Sequence, residues 1–299
     1  MKRILICGSN GLVGQYLSKI LENQFEFEIL HTSNKRELYL KNLKSDFTQL
    51  DITNKGDVKS LVSAFKPEII INCVAISNVD FCEKEKETAW NVNVKGVENL
   101  ISSAKIIGAK LIHLSTDYIF DGNKGDYNED DKPNPISYYG RTKLAAENSI
   151  LESGINFCIL RPIVIFGFGK NLKYNFPFWV VESLREGKNI SCATDQISNP
   201  TYAGQIAEGI ISVIKNDFNG IYNFCGDTKI SRFDLAKLCA KIFNLNGELI
   251  SPITSDELKQ IAKRPKNTTM DLSKAKKDFK IKFLEISEAL EKFKNDENL

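Results

Sequence analysis

A short apolar run, Arg3 to Cys7, breaks directly into GSNGLVG, and Gln15 to Leu21 then has the composition of a helix. Glycines at 8, 11 and 14 leave few folds open to such a chain. Between a strand and a helix the first glycine permits a tight turn, and the second lets backbone approach a pyrophosphate at the positive end of the helix. The third lets the helix pack closely on the sheet. A glycine triad alone is a weak signal, and its position between strand and helix gives it weight. The reading is a dinucleotide cradle made by Gly8, Ser9, Asn10, Gly11, Leu12 and Gly14. It implies an α/β fold, a Rossmann-type doubly wound parallel sheet with a smaller C-terminal α/β lobe for the substrate. The 299 residues are enough for both, with 1–162 and about 203–225 in the cofactor domain and about 163–202 and 226–299 in the lobe.

Composition narrows the function. Forty basic residues against 38 acidic ones give +2, which argues against nucleic acid as a partner. The seven cysteines include no CxxC pair, and Cys7, Cys73, Cys158 and Cys225 lie in apolar strand-like runs, which fits a reducing compartment. The first strand begins at Lys2, leaving no room for a signal peptide, and no apolar run reaches the ~18 residues of a membrane span. The expectation is a cytoplasmic protein with no membrane contact. No metal-ligand cluster stands out, so no metal is expected.

Further along, a second strand is expected over Phe25 to Leu30, running into His31, Thr32, Ser33, Asn34, Lys35 and Arg36. No carboxylate follows until Glu37, whereas NAD selection normally places one there for the ribose 2′-hydroxyl. Ser33 with Lys35 and Arg36 suits a 2′-phosphate, so NADPH is the expected cofactor, with NADH as the alternative. A third strand, Phe47 to Ile52, brings Asp51 and Ile52 toward the adenine, though Asp51 equally reads as a helix cap. The strand Glu68 to Ala75 ends in Cys73, Val74 and Ala75, small enough for a backbone edge beside a cofactor. A long helix is expected from Glu83 to Ile107, where Asn93 is a polar exception in an apolar stripe and must find partners. His113, in the strand Lys110 to Thr116, reads as structural.

Tyr139 and Lys143 stand four residues apart in YGRTK, one turn apart on one helical face. An ammonium beside a phenol favours the phenolate, so the Tyr139 pKa is expected below its usual value of about 10. Tyr138 lacks such a partner, because Thr142 stands four residues beyond it.

GSNGLVG, the Asp51 strand end, NVNVKG, STDYIFDG, YGRTK and ILRP together resemble the extended short-chain dehydrogenase/reductase family. STDYIFDG with EDDKPNPISYYGRTKLAAE, DQISNPTYA and RPKNTTMD narrows the resemblance to its dTDP-4-dehydrorhamnose reductase branch and nucleotide-sugar relatives, over nearly the whole chain. The resemblance implies reduction of the 4-keto group of a nucleotide-linked 6-deoxy-hexulose, in nucleotide-sugar biosynthesis. Tyr139 is then the catalytic acid, Lys143 its partner and a ligand of the nicotinamide ribose, and Thr116 the hydroxyl that positions the carbonyl. Tyr118 and Gln196 line the sugar pocket, Thr201 crosses between the domains, and Asn175 and Phe176 face the nucleotide. Arg264 offers a guanidinium fork for a diphosphate.

The chain departs from that pattern twice. Ile163, Val164 and Ile165 follow Arg161-Pro162 where a tryptophan is usual, and Gln15 stands where a glutamate bridges a magnesium-linked dimer in some relatives. A homodimer is left open as the assembly. Two alternatives also stay open: another nucleotide-sugar reductase or epimerase of the family, and a non-catalytic NADP-binding subunit like the regulatory subunit of methionine adenosyltransferase. Dehydration ranks low, because Asp117 is followed by Tyr118 and not by a glutamate.

Overall fold

A computed structural model describes residues 1–172 and 175–296 of the chain. The elements in its first half alternate strictly enough to wind a parallel sheet: β1 (Lys2–Cys7), α1 (Leu12–Leu21), β2 (Phe27–Ser33), β3 (Asp46–Gln49), α2 (Lys55–Phe65) and β4 (Ile69–Asn72). Then come α3 (Val79–Lys84), α4 (Lys86–Trp90), a π-helical turn (Asn91–Lys95), α5 (Gly96–Ile107), β5 (Lys110–Leu114), α6 (Tyr138–Glu152) and β6 (Phe157–Arg161). The second half contains β7 (Ile165–Phe166), α7 (Phe176–Arg185), β8 (Ile190–Ala193), β9 (Ile197–Ser198), β10 (Thr201–Tyr202), α8 (Ala203–Asn216) and β11 (Gly220–Asn223). It closes with β12 (Ile230–Ser231), α9 (Arg232–Ile242), β13 (Ile250–Ile253), α10 (Ser273–Asp278) and α11 (Ile286–Asp296).

The main sheet has seven strands in the order β11-β6-β5-β4-β1-β2-β3, all parallel. Its central strands are apolar on both sides. Ile4 and Ile6 of β1 enter one core, shared with residues of α1 and α8, while Leu5 and Cys7 enter the other, shared with α2, α5 and α6. Fully buried isoleucines and leucines of this kind stabilise by about 1.5–3 kcal/mol each, and a strand buried on both faces has no use for polar alternation. The order of strands reverses between β1 and β4, and ligands of such sheets bind at the carboxyl ends beside that reversal. Register puts Thr32, Cys7, Asn72, His113 and Ile159 in one row across the sheet, just below those ends.

The first core does not stop at the sheet. It continues through Val180, Leu184, Leu235 and Leu290 into the smaller two-stranded sheets β10–β7, β12–β9 and β13–β8. Asp296 of α11 accepts hydrogen bonds from Tyr16 of α1 and Tyr202 of β10, tying the last helix back to the first. Among the described residues, no helix is long and apolar enough to cross a membrane.

Several elements differ from the sequence expectation. β2 begins later and runs to Ser33, so His31, Thr32 and Ser33 are strand residues and not a loop. β3 stops at Gln49, leaving Asp51 and Ile52 beyond it, and the α2 cap is Asn54, whose Oδ1 accepts from Gly56 N and Asp57 N. The helix expected over Glu83 to Ile107 is interrupted at Glu85, where the backbone leaves helical geometry, and again by the π turn. Periodicity could not show either break, since the apolar stripe continues across both.

α6 is fixed to the sheet by a buried ion pair. Arg161 of β6 donates from Nε and Nη2 to the two carboxylate oxygens of Glu147, at 3.0 and 2.7 Å. The fork geometry satisfies both partners, which a buried pair requires. Glu147→Ala strands the Arg161 charge in the core and is expected to destabilise the fold by about 3–5 kcal/mol in urea unfolding; a loss below about 1 kcal/mol, as for an exposed pair, would contradict this assignment.

Candidate active site

The glycine loop has the shape a dinucleotide requires. Gly8 adopts φ +87, and a Cβ on Gly14 would stand 2.2 Å from the Gly8 carbonyl oxygen. No side chain fits between the loop and α1, so α1 presents its amino end at the turn, and its N-cap residue Gly11 brings no side chain to close it. Ser9, Asn10 and Ser33 are buried beneath the loop. Asn10 donates to Ser33 Oγ (3.1 Å) and Glu37 O (2.9 Å) and accepts from Tyr39 N (2.8 Å). Leu12 opens α1 and is partly buried. Gln15 faces inward, donating to Asn10 O and Lys170 O, both at 2.9 Å, and accepting from Lys170 N. Lys35 and Arg36 are exposed past the end of β2.

On the adenine side, Asp51 is exposed and accepts from Thr53 N and Oγ1 at 2.9 and 2.8 Å, so it shapes its own turn and does not cap α2. The Ile52 side chain is buried against Gly96. Cys73, Val74 and Ala75 leave the end of β4 beside the glycine loop, where a Cβ on Gly8 would meet Val74 Cγ2 at 3.0 Å. The π turn directs Asn93 to this edge. It accepts from Ile76 N (2.8 Å) and donates to Ile76 O (3.1 Å) and Thr142 Oγ1 (3.0 Å), bracing the β4 loop against α6.

Thr116, Tyr118, Tyr139 and Lys143 come together at the end of β5. α6 lies so close to the turn at Asp117–Ile119 that a Cβ on Gly140 would stand 2.1 Å from Tyr118 O. That approach brings the buried Tyr139 phenol beside Thr116 and sets its ring edge-on to Tyr118, with centroids 5.7 Å apart. Burial raises the Tyr139 pKa above the ordinary phenol value, contrary to the expectation of a lowered one. Lys143, one turn further along α6, is engaged with β5. Its Nζ, also buried, donates to Leu114 O at 2.6 Å and lies 3.0 Å from His113 Nε2. Burial brings the ammonium itself down to about 8, against the opposing charge of Glu147.

Asp117 joins this group. Its carboxylate accepts from Thr116 Oγ1 (3.0 Å) and from Thr268 Oγ1 (2.6 Å), and burial pushes it up to about 6 despite these bonds and the charge of Arg232. Arg232, the first residue of α9, went unnoticed in the sequence. Its guanidinium lies over the Phe176 ring at 4.6 Å, among Tyr118, Asp117 and Arg264, and its Nη1 is buried with no hydrogen-bond partner. Nothing but its place at a helix start distinguished it among the chain's cations. Arg264 instead spends Nη1 on Asp80 of α3 (2.9 Å) and Ala262 O (2.8 Å), tying the C-terminal segment to the sheet domain.

The remaining candidates serve the framework around that space. Asn175 caps α7 through Phe178 N and donates to Gly167 O at 2.7 Å. Gln196 donates to Ser255 Oγ and Gln260 Oε1, at 3.1 and 3.0 Å. Thr201 accepts from Ile163 N (3.1 Å) and donates to Ile163 O (2.7 Å), holding the segment where the tryptophan is missing. The next residue, Val164, has φ 43, a conformation that β-branched residues rarely adopt.

A cradle for a dinucleotide beside a buried Thr-Tyr-Lys constellation defines a short-chain dehydrogenase/reductase, a nicotinamide-dependent oxidoreductase. The chain belongs to the RmlD substrate binding domain family, whose pattern matches residues 1–298. It is 35% identical to the dTDP-4-dehydrorhamnose reductase of Aggregatibacter actinomycetemcomitans over 94% of each chain. It is also 30% identical to methionine adenosyltransferase 2 subunit beta of Xenopus tropicalis, over 92% of this chain and 82% of that one. Among solved structures, the Bacillus anthracis dTDP-4-dehydrorhamnose reductase in complex with NADP superposes with a TM-score of 0.89 at 30% identity, covering 99% of each.

Asp117 yields a test of the site's electrostatics. Folded, it keeps its proton up to about 6, whereas an unfolded aspartate loses it near ~3.9. Between those values the native state binds more protons, so stability falls as pH rises through the window and stays lowered above it. Asp117→Asn, which keeps a side-chain acceptor, is expected to flatten the change in urea midpoint between pH 4.5 and 7; an unchanged slope would show that Asp117 is ionised throughout.

Proposed function

We propose that this chain reduces the 4-keto group of a nucleotide-linked 6-deoxy-hexulose, dTDP-4-dehydro-L-rhamnose to dTDP-L-rhamnose, with NADPH. The observation that carries the reading is the buried phenol of Tyr139 beside Thr116 at the carboxyl end of β5, on the same edge of the sheet as the glycine loop. Bound NADPH would supply the hydride. Tyr139 and Thr116 receive the ketone oxygen as negative charge grows on it, and Tyr139, kept protonated by burial, gives up its proton to that oxygen. Such acid help contributes about 10²- to 10⁴-fold. Lys143, within one helical turn, restores the proton.

The loop from Gly8 to Gly14 holds the pyrophosphate, and Lys35 and Arg36 at the end of β2 take the 2′-phosphate that an acidic residue would repel. The relative solved with NADP supports this choice. On the substrate side, Arg232 with its unpartnered Nη1 and Arg264 above Asp80 make a cationic pair for a nucleoside diphosphate. Tyr118 and Phe176 are the apolar surfaces beside it.

A regulatory role is the second reading, favoured by the match to methionine adenosyltransferase 2 subunit beta over most of both chains. One experiment separates the two. Purified protein incubated with dTDP-4-dehydro-L-rhamnose is expected to oxidise NADPH in preference to NADH, and Tyr139→Phe is expected to slow turnover by about 10²-fold or more while still binding NADPH. Normal cofactor binding without turnover of this or any nucleotide 4-keto sugar, together with stoichiometric capture of a synthetase, would establish the regulatory reading instead.

A further inference from the structure

His113 is buried, titratable and absent from the chemistry above, yet its Nε2 lies 3.0 Å from the Lys143 nitrogen. The other ring nitrogen, Nδ1, lies 3.1 Å from Asn72 Nδ2, its neighbour in the sheet register. The direction of these bonds follows from one backbone group. Val74 N–H can only donate, and it meets Asn72 Oδ1 at 3.0 Å. The Asn72 amide is therefore oriented with its NH₂ toward His113, and an NH₂ can only donate. His113 Nδ1 must accept, so a neutral His113 carries its proton on Nε2 and points that proton at Lys143. Burial and the neighbouring ammonium keep His113 neutral, well below the usual imidazole range.

An amine can accept the Nε2 proton while it donates to Leu114 O, but an ammonium has no lone pair to offer. The other charged or titratable groups around Lys143 do not supply this effect. Glu147 of the same helix, paired with Arg161 of β6, favours the ammonium. Cys73 after β4 and Cys7 of β1 are thiols that burial pushes up to about 12, so both stay protonated.

We propose that Asn72 and His113 are positioning residues for Lys143: by fixing the proton of His113 on Nε2 they present to the Lys143 nitrogen a donor that only the amine can accept. Lys143 is thereby made a readier proton donor. When Tyr139 has given its proton to the product oxygen, an N–H bond of the ammonium breaks, the phenol O–H bond reforms, and the amine left behind accepts Nε2–H. The transfer itself balances, and the amine regains its proton from solvent before the next turnover. The catalytic consequence rests on the reductase reading, whereas the tautomer of His113 does not.

The test therefore has two arms. The chain has two histidines, His31 and His113, so protein labelled with ¹⁵N-histidine gives two sets of ring signals, and His113→Gln identifies which belongs to His113. At neutral pH the wild-type His113 is expected to show a protonated Nε2 and a bare Nδ1; an Nδ1–H tautomer or an imidazolium would overturn the proposal. This arm needs neither substrate nor turnover, so it stands or falls apart from the assigned reaction. In the second arm, the alkaline limb of kcat/KM is expected near the Lys143 value of about 8 in the wild type. His113→Phe removes that donor at similar ring volume and is expected to move that limb upward by about one pH unit. A packing role would lower the rate at every pH and leave the limb where it was, and that result would refute the proposal even if the tautomer is as described.

Discussion

The backbone of α6 lies against the Tyr118 carbonyl at a distance that admits no side chain at Gly140. From that contact the rest of the site follows. It sets Tyr139 one residue before the closest approach, beside Thr116, and places Lys143 one turn further in, beneath the end of β5. The opposite side of the helix is held by Glu147 on Arg161, so α6 is fixed at both ends of its buried face. Similar close packing at Gly14 seats α1 on the glycine loop. Two helix approaches that only glycine permits thus set the positions of the glycine loop and of Tyr139.

Burial decides the electrostatics of this site more than neighbouring charge does. Tyr139 is held protonated, Lys143 is lowered to about 8 and Asp117 is raised to about 6, each with desolvation as the largest cause. Each shift is toward the neutral form of its group. An acid must hold its proton until negative charge appears nearby, and a dry pocket amplifies the effect of that charge when it does. The cations sit further out, at Arg232 and Arg264, where they suit an anionic substrate and not the reacting carbonyl.

How much of this was legible depended on whether the information was local. The glycine spacing, the Tyr139–Lys143 pair and the absence of a carboxylate before Glu37 are all written within a few residues, and the fold class followed from the first. The seven-stranded parallel sheet bears that class out. The direction of Lys143 was not legible, because it depends on the register that sets His113 beside Asn72, residues 41 apart in sequence. His113 accordingly read as a plain strand residue. Asn93 was recognised as an anomaly, but the π turn that aims it at Ile76 and Thr142 leaves no trace in apolar periodicity. Arg232 was missed for the same kind of reason: its unpartnered nitrogen is a property of the folded surroundings.

The central claim is that hydride from the cofactor reaches the sugar ketone while Tyr139 supplies the proton. NADPH carrying deuterium at the transferable position of its nicotinamide tests it directly. After turnover with dTDP-4-dehydro-L-rhamnose, the account predicts one deuterium on C4 of the product sugar and a hydroxyl proton drawn from solvent. A product with no deuterium at C4, or with the label at another ring carbon, would contradict it.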